Sequence, residues 1–116
     1  MAKILITGGA GFIGARLARQ LLSDGHRVTI FDNFSRLGTE LRVGWLREQC
    51  NPENQLQVIR GDVADFDSVL SATSEVQRIY HLAGQVSVTG SVQNPLQDFY
   101  DNAEGTLNAL ESARRV

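Results

Sequence analysis

The sequence predicts an α/β fold, a doubly wound parallel sheet with helices on both faces. Four short runs rich in aliphatic and β-branched residues alternate with segments whose apolar residues recur every three or four positions. Alternating units of this kind form parallel sheets with right-handed crossovers. The chain has 116 residues, of which 42% are hydrophobic and 21% charged, so one core is possible and the composition argues against disorder.

The first two strands and the helix between them have the clearest patterns. Residues 4–6 are continuously apolar, which predicts a strand buried on both faces. In the following helix, Ile13, Leu17 and Leu21 recur every four residues, and we expect them to form its apolar face together with Ala18 and Leu22 beside them. The β-branched and aromatic run 28–31 predicts the second strand.

The middle of the chain predicts two more units of strand and helix. A helix is expected within 40–49, ended by the Asn-Pro pair at 51–52. The third strand is predicted at 56–59, followed by a helix whose N-cap is Asp65. The fourth strand is predicted at 79–83. Short connections favour the strand order 3-2-1-4.

The last helix has the clearest start signal. Asn94 suits the N-cap and Pro95 the first helical position. The apolar residues that follow are spaced by four, four and three, which predicts one buried face formed by Phe99, Ala103, Leu107 and Leu110.

Composition and charge exclude several classes of function. The formal net charge is -2, and no stretch is basic enough for nucleic-acid binding. No apolar run approaches the roughly 20 residues that a membrane span needs. Cys50 is the only cysteine, so neither an intrachain disulfide nor a cysteine-rich metal cluster is expected. The N-terminus has no signal-peptide pattern, so we expect a cytoplasmic protein. We also expect no metal site.

A glycine-rich turn between the first strand and the first helix predicts a dinucleotide site. Residues 8–14 fit the pattern G-x-x-G-x-x-G. Gly8 allows a sharp turn, Gly11 allows close approach of a pyrophosphate, and Gly14 allows the helix to pack near the sheet. The amides and the positive dipole end of the helix favour phosphate. The alternative interpretation is a tight turn that binds nothing.

An acidic residue at the end of the second strand indicates which dinucleotide binds. Asp32 follows Gly14 by eighteen residues. A carboxylate there accepts hydrogen bonds from the hydroxyls of the adenosine ribose and repels a 2′-phosphate, which favours NAD. Arg36 favours NADP instead, because a guanidinium can bind a 2′-phosphate. We give Asp32 more weight because it lies at the strand end; its alternative role is to cap the loop.

The ends of the third and fourth strands complete the predicted site. Asp62 and Val63 follow the third strand and could meet the adenine, although, taken alone, a simple strand-end turn that leads into the next helix is the better explanation. Leu82, Ala83 and Gly84 end the fourth strand, where small residues leave room for a ribose or nicotinamide. Because ligands bind outside the carboxyl ends of parallel strands, all four strand ends predict one site.

In combination, these motifs resemble the extended short-chain dehydrogenase/reductase family, the NAD-dependent sugar-nucleotide epimerases and dehydratases. The segments that carry the resemblance span nearly the whole chain: 7–14, 31–33, 61–63, 81–84 and 102–106. Within that family, further segments are similar to the CDP-paratose (CDP-tyvelose) 2-epimerases: 32–36, 45–47, 81–87, 94–95 and 98–99.

The resemblance implies a Rossmann-type domain that binds NAD in an enzyme acting on a nucleotide sugar. It assigns the pyrophosphate to Gly8, Gly11, Phe12, Ile13 and Gly14, and the adenosine ribose to Asp32, Asn33, Ser35 and Arg36. It assigns the adenine to Asp62 and Val63, and the nicotinamide half to Leu82, Ala83 and Gly84. Gln85 would face the cofactor or the sugar, and Asn102 would tie the sheet edge to the pocket. In the reaction that it implies, NAD takes a hydride from a sugar carbon and returns it to the opposite face.

The family's catalytic Tyr-x-x-x-Lys pair is missing. Lys3 is the only lysine, and Tyr80 and Tyr100 are followed four residues later by glycine and glutamate. We therefore expect residues 1–116 to be the N-terminal NAD-binding part of a longer enzyme, inactive alone and without a catalytic residue. The alternatives are a fragment of a nucleotide-sugar 4-epimerase or dehydratase, a non-catalytic NAD sensor, and a scaffold that binds no nucleotide.

Two further expectations concern the fourth strand. His81 could act as an acid or base, but we expect it to be a packed structural residue.

Residues 79–82 would form an apolar sheet edge if no fifth strand covers them. We expect the chain to form a homo-oligomer through this edge, or its last helix to move and cover it.

Overall fold

The computed structural model describes residues 1–49, 55–84 and 92–116, and the strands among them form one parallel sheet. The strands are β1 (Lys3–Thr7), β2 (Arg27–Asp32), β3 (Leu56–Arg60) and β4 (Arg78–His81). Their order is β3-β2-β1-β4, and every neighbouring pair is parallel. The predicted fold class and strand order are confirmed.

Three helices separate the strands, as the pattern predicted, and two more follow the last strand. They are α1 (Phe12–Ser23), α2 (Thr39–Gln49), α3 (Phe66–Thr73), α4 (Pro95–Phe99) and α5 (Gly105–Arg115). A π-helical turn, Tyr100–Glu104, joins α4 to α5. The Asn94 side chain accepts a hydrogen bond from the Gln97 N–H, which confirms the predicted N-cap. Cys50 and the Asn-Pro pair at 51–52 lie outside the described residues.

Two apolar layers cover the sheet, and β1 contributes to both. Ile4 and Ile6 lie in the layer beneath α1 and α2, together with Val28 and Ile30. Leu5 lies in the opposite layer, beneath α3. Since successive side chains of a strand point to opposite faces, a continuously apolar strand is the one that both layers require. The predicted burial of residues 4–6 on both faces is confirmed.

The predicted apolar face of α1 is wrong at its first residue. Ile13 is 70% exposed and Leu17 is half-buried, whereas the buried residues of α1 are Gly14, Ala15, Ala18, Leu21 and Leu22. The small residues among these let the start of the helix approach the sheet closely. Ile13 lies beside that stripe and faces solvent.

The predicted apolar face of the last helix is wrong throughout. All four of its residues are exposed, including Leu107 at 62% and Leu110 at 65%. The buried residues of α5 are instead Gly105, Asn108, Ala109 and Ser112, and this face packs mainly against α3. A π-helical turn holds more residues than an α-helical turn, so it rotates α5 out of the phase that a continuous helix would have.

Candidate functional site

A cleft of about 250 Å³ opens at the carboxyl ends of the strands. It is lined by Gly8, Gly11, Phe31, Asp32, Asn33, Ser35, Arg36, Gly61, Val63, Leu82, Ala83, Gly84 and Asp101. Most of the residues predicted from the sequence therefore lie together. Of the predicted residues that the structure describes, Phe12, Ile13, Gly14, Asp62 and Asn102 do not line the cleft, and Gln85 lies outside the described residues.

The glycine turn is built so tightly that an added side chain at Gly8 or Gly14 would overlap backbone atoms. Gly8 has a φ of 70°, and an added Cβ would lie 2.8 Å from the Ala83 nitrogen. At Gly14 an added Cβ would overlap the Gly8 carbonyl oxygen. Gly8 also donates its N–H to the Phe31 carbonyl, with a distance of 2.8 Å. The turn is thus locked between the ends of three strands and the start of α1.

Helix α1 starts at this turn with unpaired amides. The first hydrogen bond within the helix runs from the Ala15 N–H to the Gly11 carbonyl, at 3.0 Å. Within the described ranges, the N–H groups of Phe12, Ile13 and Gly14 have no acceptor, and no side chain caps the helix. The side chains of Phe12 and Ile13 are exposed, and neither residue lines the cleft.

Asp32 joins the glycine turn to the loop after β2. One oxygen of its half-buried carboxylate accepts the Ala10 N–H at 3.1 Å, and the other accepts the Phe34 N–H at 2.9 Å. It therefore caps the loop, as the alternative interpretation proposed, and it also lines the cleft. An ionised carboxylate has about four acceptor positions, so it retains capacity for further hydroxyl donors.

Two guanidinium groups near Asp32 are engaged with backbone carbonyls. Arg36 donates to the Gly84 carbonyl and so connects two walls of the cleft. Arg42, on α2, donates from Nε to the Ala10 carbonyl at 2.6 Å. Sequence reasoning missed Arg42, since no local signal connects a helix residue to a turn 32 positions away.

At the end of β3, the two predicted residues have different surroundings. Val63 is buried and lines the cleft, and its carbonyl accepts the Asn108 side-chain amide at 2.8 Å. Asp62 is exposed, and its carboxylate accepts the Ala64 N–H at 2.9 Å. The contacts of Asp62 are those of a strand-end turn, which was the simpler interpretation.

At the end of β4, Gly84 packs against the helix that follows. An added Cβ at Gly84 would lie 2.7 Å from Asn102 Oδ1, so Asn102 contacts the cleft wall from behind. The Asn102 amide also donates to Asp98 at 2.9 Å. Its neighbour Asp101, which the sequence did not single out, lines the cleft itself.

Beneath this wall lies a set of hydrogen bonds that the sequence did not predict. Thr7, which is fully buried, has its hydroxyl 2.7 Å from Nδ1 of His81. The other ring nitrogen of His81 lies 3.2 Å from the Thr106 hydroxyl. Burial lowers the pKa of His81 below its ordinary value of 6.5, so the neutral imidazole is favoured. The expected structural role of His81 agrees with these contacts.

The described residues contain neither a metal-binding cluster nor a membrane-spanning helix. No cluster of three or more His, Cys, Asp or Glu side chains there could hold a metal ion. None of the helices there is long and apolar enough to cross a membrane.

Comparison with known proteins places this geometry among nucleotide-sugar enzymes. The family model described as GDP-mannose 4,6 dehydratase matches residues 5–116. The CDP-paratose 2-epimerase of Salmonella typhi is 40% identical over 115 residues, covering 97% of this chain and 33% of that protein.

Two solved structures are similar along nearly the whole chain. The Thermus thermophilus UDP-glucose 4-epimerase in complex with NAD has a TM-score of 0.77 and 35% identity, covering 97% of this chain and 34% of that one. The UDP-glucose 4-epimerase of Stenotrophomonas maltophila, with bound NAD and formylated UDP-arabinopyranose, has a TM-score of 0.81 and 26% identity, covering 98% and 34%. The chain thus spans about a third of the length of these relatives.

Proposed function

The chain belongs to the GDP-mannose 4,6 dehydratase family, and on that premise we propose that residues 1–116 are the N-terminal NAD-binding domain of a longer enzyme that acts on a nucleotide sugar. The observation that carries this proposal is the meeting of the glycine turn and Asp32 in one cleft, where the Asp32 carboxylate accepts the Ala10 N–H at 3.1 Å. Similar structures that contain NAD support the choice of cofactor.

The residues present fit NAD on two structural observations. At Gly11 an added Cβ would meet one described atom within 4 Å, the Gly8 carbonyl oxygen at 3.2 Å, so the missing side chain leaves space in the cleft. The first amides of α1 lack acceptors among the described residues, and the positive end of the helix dipole favours an anionic group there. Both features suit a pyrophosphate.

In this proposal each wall of the cleft holds one part of the cofactor. The amides of Phe12, Ile13 and Gly14 would bind the pyrophosphate, with Gly8 and Gly11 leaving room for it. Asp32, with Asn33, Ser35 and Arg36 beside it, would bind the adenosine ribose. Val63 would contact the adenine, and Leu82, Ala83 and Gly84 would lie against the nicotinamide half. Three further residues complete the set that we propose for the NAD site: Asp62 in the turn after β3, Gln85 and Asn102.

When bound, NAD supplies a reversible oxidant for a carbon of the sugar. The described residues bind and orient it, but they do not supply the tyrosine base of the family. Lys3 lies at the amino end of β1, opposite the cleft, where its ammonium pairs with Glu75 at 3.3 Å. Neither Tyr80 nor Tyr100 has a lysine four residues later. We therefore propose that this chain alone does not turn over a nucleotide sugar.

The finer activity that we propose is the 2-epimerisation of a CDP-linked sugar. The 40% identity to the CDP-paratose 2-epimerase of Salmonella typhi supports it. A 4-epimerase or a decarboxylase is the alternative, since the UDP-glucuronic acid decarboxylase 1 of Danio rerio is 38% identical. Assays of the longer protein with CDP-paratose, UDP-glucose and UDP-glucuronic acid would separate these activities, and turnover of either UDP-sugar without turnover of CDP-paratose would contradict our choice.

Calorimetric titration of the chain with NAD and with NADP tests the cofactor proposal. We expect saturable NAD binding and weaker NADP binding, because Asp32 repels a 2′-phosphate. A well-dispersed NMR spectrum together with no heat at millimolar NAD would refute the proposal, since the chain would then be folded and unable to bind.

A non-catalytic NAD sensor is the second candidate, and the missing Tyr-x-x-x-Lys pair favours it. The coding sequence downstream of Val116 decides between the two candidates. A reading frame that continues into a Tyr-x-x-x-Lys segment excludes the sensor, whereas a stop codon directly after Val116 favours it.

We also propose that copies of this chain self-associate through the free edge of β4. Among the described strands, β4 pairs only with β1. A groove of about 500 Å³ runs along its other edge, lined by apolar residues that include Ile79, Ala109 and Leu110. Unpaired strand edges beside apolar surface are templates for another chain.

Charge placed in the groove tests the proposed self-association. Leu110→Lys should shift the chain towards monomer in sedimentation equilibrium. Leu96→Lys is the matched control, because Leu96 is 68% exposed on α4 and does not line the groove. A monomeric parent chain, or equal effects of the two variants, would contradict the proposal.

A further inference from the structure

We propose that His81 is a positioning residue. Hydrogen bonds with fixed donors and acceptors hold it as the neutral Nε2–H tautomer, and this imidazole orders the end of β4, which forms a wall of the cleft. The hydrogen-bond directions follow from the donors and acceptors of Thr7, His81 and Thr106 alone. Only the consequence for NAD affinity rests on the proposed function.

The Thr7 hydroxyl determines the state of Nδ1. Its oxygen accepts the Leu82 N–H at 3.1 Å and the Ala83 N–H at 3.3 Å, and the Leu82 N–H is shared with the Thr7 carbonyl at 3.0 Å. A hydroxyl oxygen has two acceptor positions and one proton. With both positions used, the hydroxyl can only donate to His81 Nδ1, which lies 2.7 Å away. Nδ1 must therefore carry a lone pair.

The Thr106 hydroxyl determines the state of Nε2 independently. It donates its proton to the Asn102 carbonyl at 2.5 Å, and a carbonyl can only accept. Towards His81 it can then only accept, so Nε2, at 3.2 Å, must carry the proton. Both hydroxyls require the same tautomer, although they lie on different elements and approach different ring nitrogens.

A protonated His81 is incompatible with this arrangement. An imidazolium is a donor at both nitrogens, so Nδ1–H would face a hydroxyl whose acceptor positions are taken. Thr7 would have to release the amide of Leu82 or Ala83. The lowered pKa of the half-buried imidazole agrees with this.

Burial, and not a charged partner, sets the direction of the shift in the pKa of His81. The imidazole is faced by Thr7 from β1 and by Thr106 from α5. Among the described residues that line the groove beside it, the other groups that can carry a charge are the Arg78 side chain and the α-carboxylate of the last residue, Val116, and burial outweighs both. Arg78 is a cation, so it does not favour protonation of a neighbouring imidazole.

The protonation state of His81 affects the wall of the cleft. Leu82 and Ala83, the two residues whose amides Thr7 holds, line the cleft, and Ala83 also lies against the tight turn at Gly8. Loss of either amide hydrogen bond loosens this wall. The state of His81 thus controls the order of the cleft wall without touching a ligand.

Long-range ¹H–¹⁵N NMR of the chain without cofactor tests the proposal directly. At neutral pH we expect the Nε2–H tautomer for His81. As the pH falls through the pKa of His81, the Leu82 and Ala83 amides should shift in step with the ring, and the Ala83 amide should lose protection from exchange, whereas the Leu82 N–H keeps its hydrogen bond to the Thr7 carbonyl. An Nδ1–H tautomer, a mixture of tautomers, or amides that do not respond would overturn the proposal.

The second histidine and one variant provide controls. His26 accepts the Ala2 N–H at 3.0 Å, far from the cleft end of the sheet, so His26→Asn should leave the pH step at Leu82 and Ala83 unchanged. His81→Asn places a side-chain oxygen near Thr7 that does not titrate, so the pH step at both amides should disappear. A step that persists in this variant would also overturn the proposal.

Cofactor affinity is the final readout. The NAD dissociation constant should rise severalfold on acidification in the parent chain and stay nearly constant in His81→Asn. If NAD does not bind at any pH, the proposed function fails, while the NMR results still decide the role of His81.

Discussion

Strand β1 and helix α5 both carry apolar residues, yet the structure buries them very differently. Ile4, Leu5 and Ile6 are at most 1% exposed, whereas Leu107 and Leu110 are more than 60% exposed. Strand β1 has a strand on each side and helices over both faces, so every apolar side chain meets a partner. Helix α5 packs mainly on α3, and the groove beside β4 stays open. Burial therefore depends on the neighbouring elements as much as on the apolar pattern.

The largest expected effect tests this contrast directly. Leu5→Ala should lower the free energy of unfolding by about 2–5 kcal/mol, because it leaves a cavity in a closed layer. Leu107→Ala, the matched variant on α5, should change it by no more than about 0.5 kcal/mol, because Leu107 is 62% exposed and does not line the groove proposed for self-association. Urea denaturation followed by circular dichroism measures both. Equal losses would mean that α5 is as well covered as β1.

The next effect separates backbone strain from packing at the glycine turn. Gly8→Ala should cost about 1–3 kcal/mol in strain alone, and more because its Cβ would lie 2.8 Å from the Ala83 nitrogen. Gly25→Ala is the control, since Gly25 has a φ of 91° and an added Cβ would have no atom within 4 Å. Thermal unfolding should show the larger loss for Gly8→Ala, and the reverse ranking would contradict the described turn.

A smaller effect tests the cleft itself. Asp32→Asn should weaken NAD binding about tenfold, roughly 1.4 kcal/mol, and narrow the preference over NADP, because the repelling charge is removed. Asp67→Asn should leave both affinities nearly unchanged, since Asp67 is exposed on α3 and does not line the cleft. Calorimetric titration with both dinucleotides measures this. Equal losses in the two variants would mean that Asp32 does not contact the cofactor.

The smallest expected effect is the contribution of His81 to stability as the pH changes. Its pKa is lowered in the folded chain, so below pH 6.5 the unfolded chain binds more protons. The contribution is fully present above that pH and is lost as the pH falls through the folded pKa. Denaturation between pH 5 and about pH 8 should show this slope in the parent chain, and a slope that is undiminished in His81→Asn would exclude His81 as its source.

Much of the site could be predicted because its signals are local or follow a general rule. The glycine turn is seven consecutive residues, and Asp32 lies where the second strand ends. The partners that support them could not be predicted. Arg42 reaches a carbonyl 32 positions away, and His81 meets a hydroxyl 74 positions away. Such contacts arise only when crossovers bring distant segments together.

The sequence by itself determined the parallel sheet, its strand order and the position of the glycine turn, because side-chain periodicity and the handedness of crossovers are properties of the chain itself. The tertiary structure alone decided which face of the last helix is buried and which ring nitrogen of His81 carries the proton. A π-helical turn rotates that helix, and two hydroxyls on different elements meet one imidazole. Both outcomes depend on the relative positions of packed elements, which no local pattern encodes.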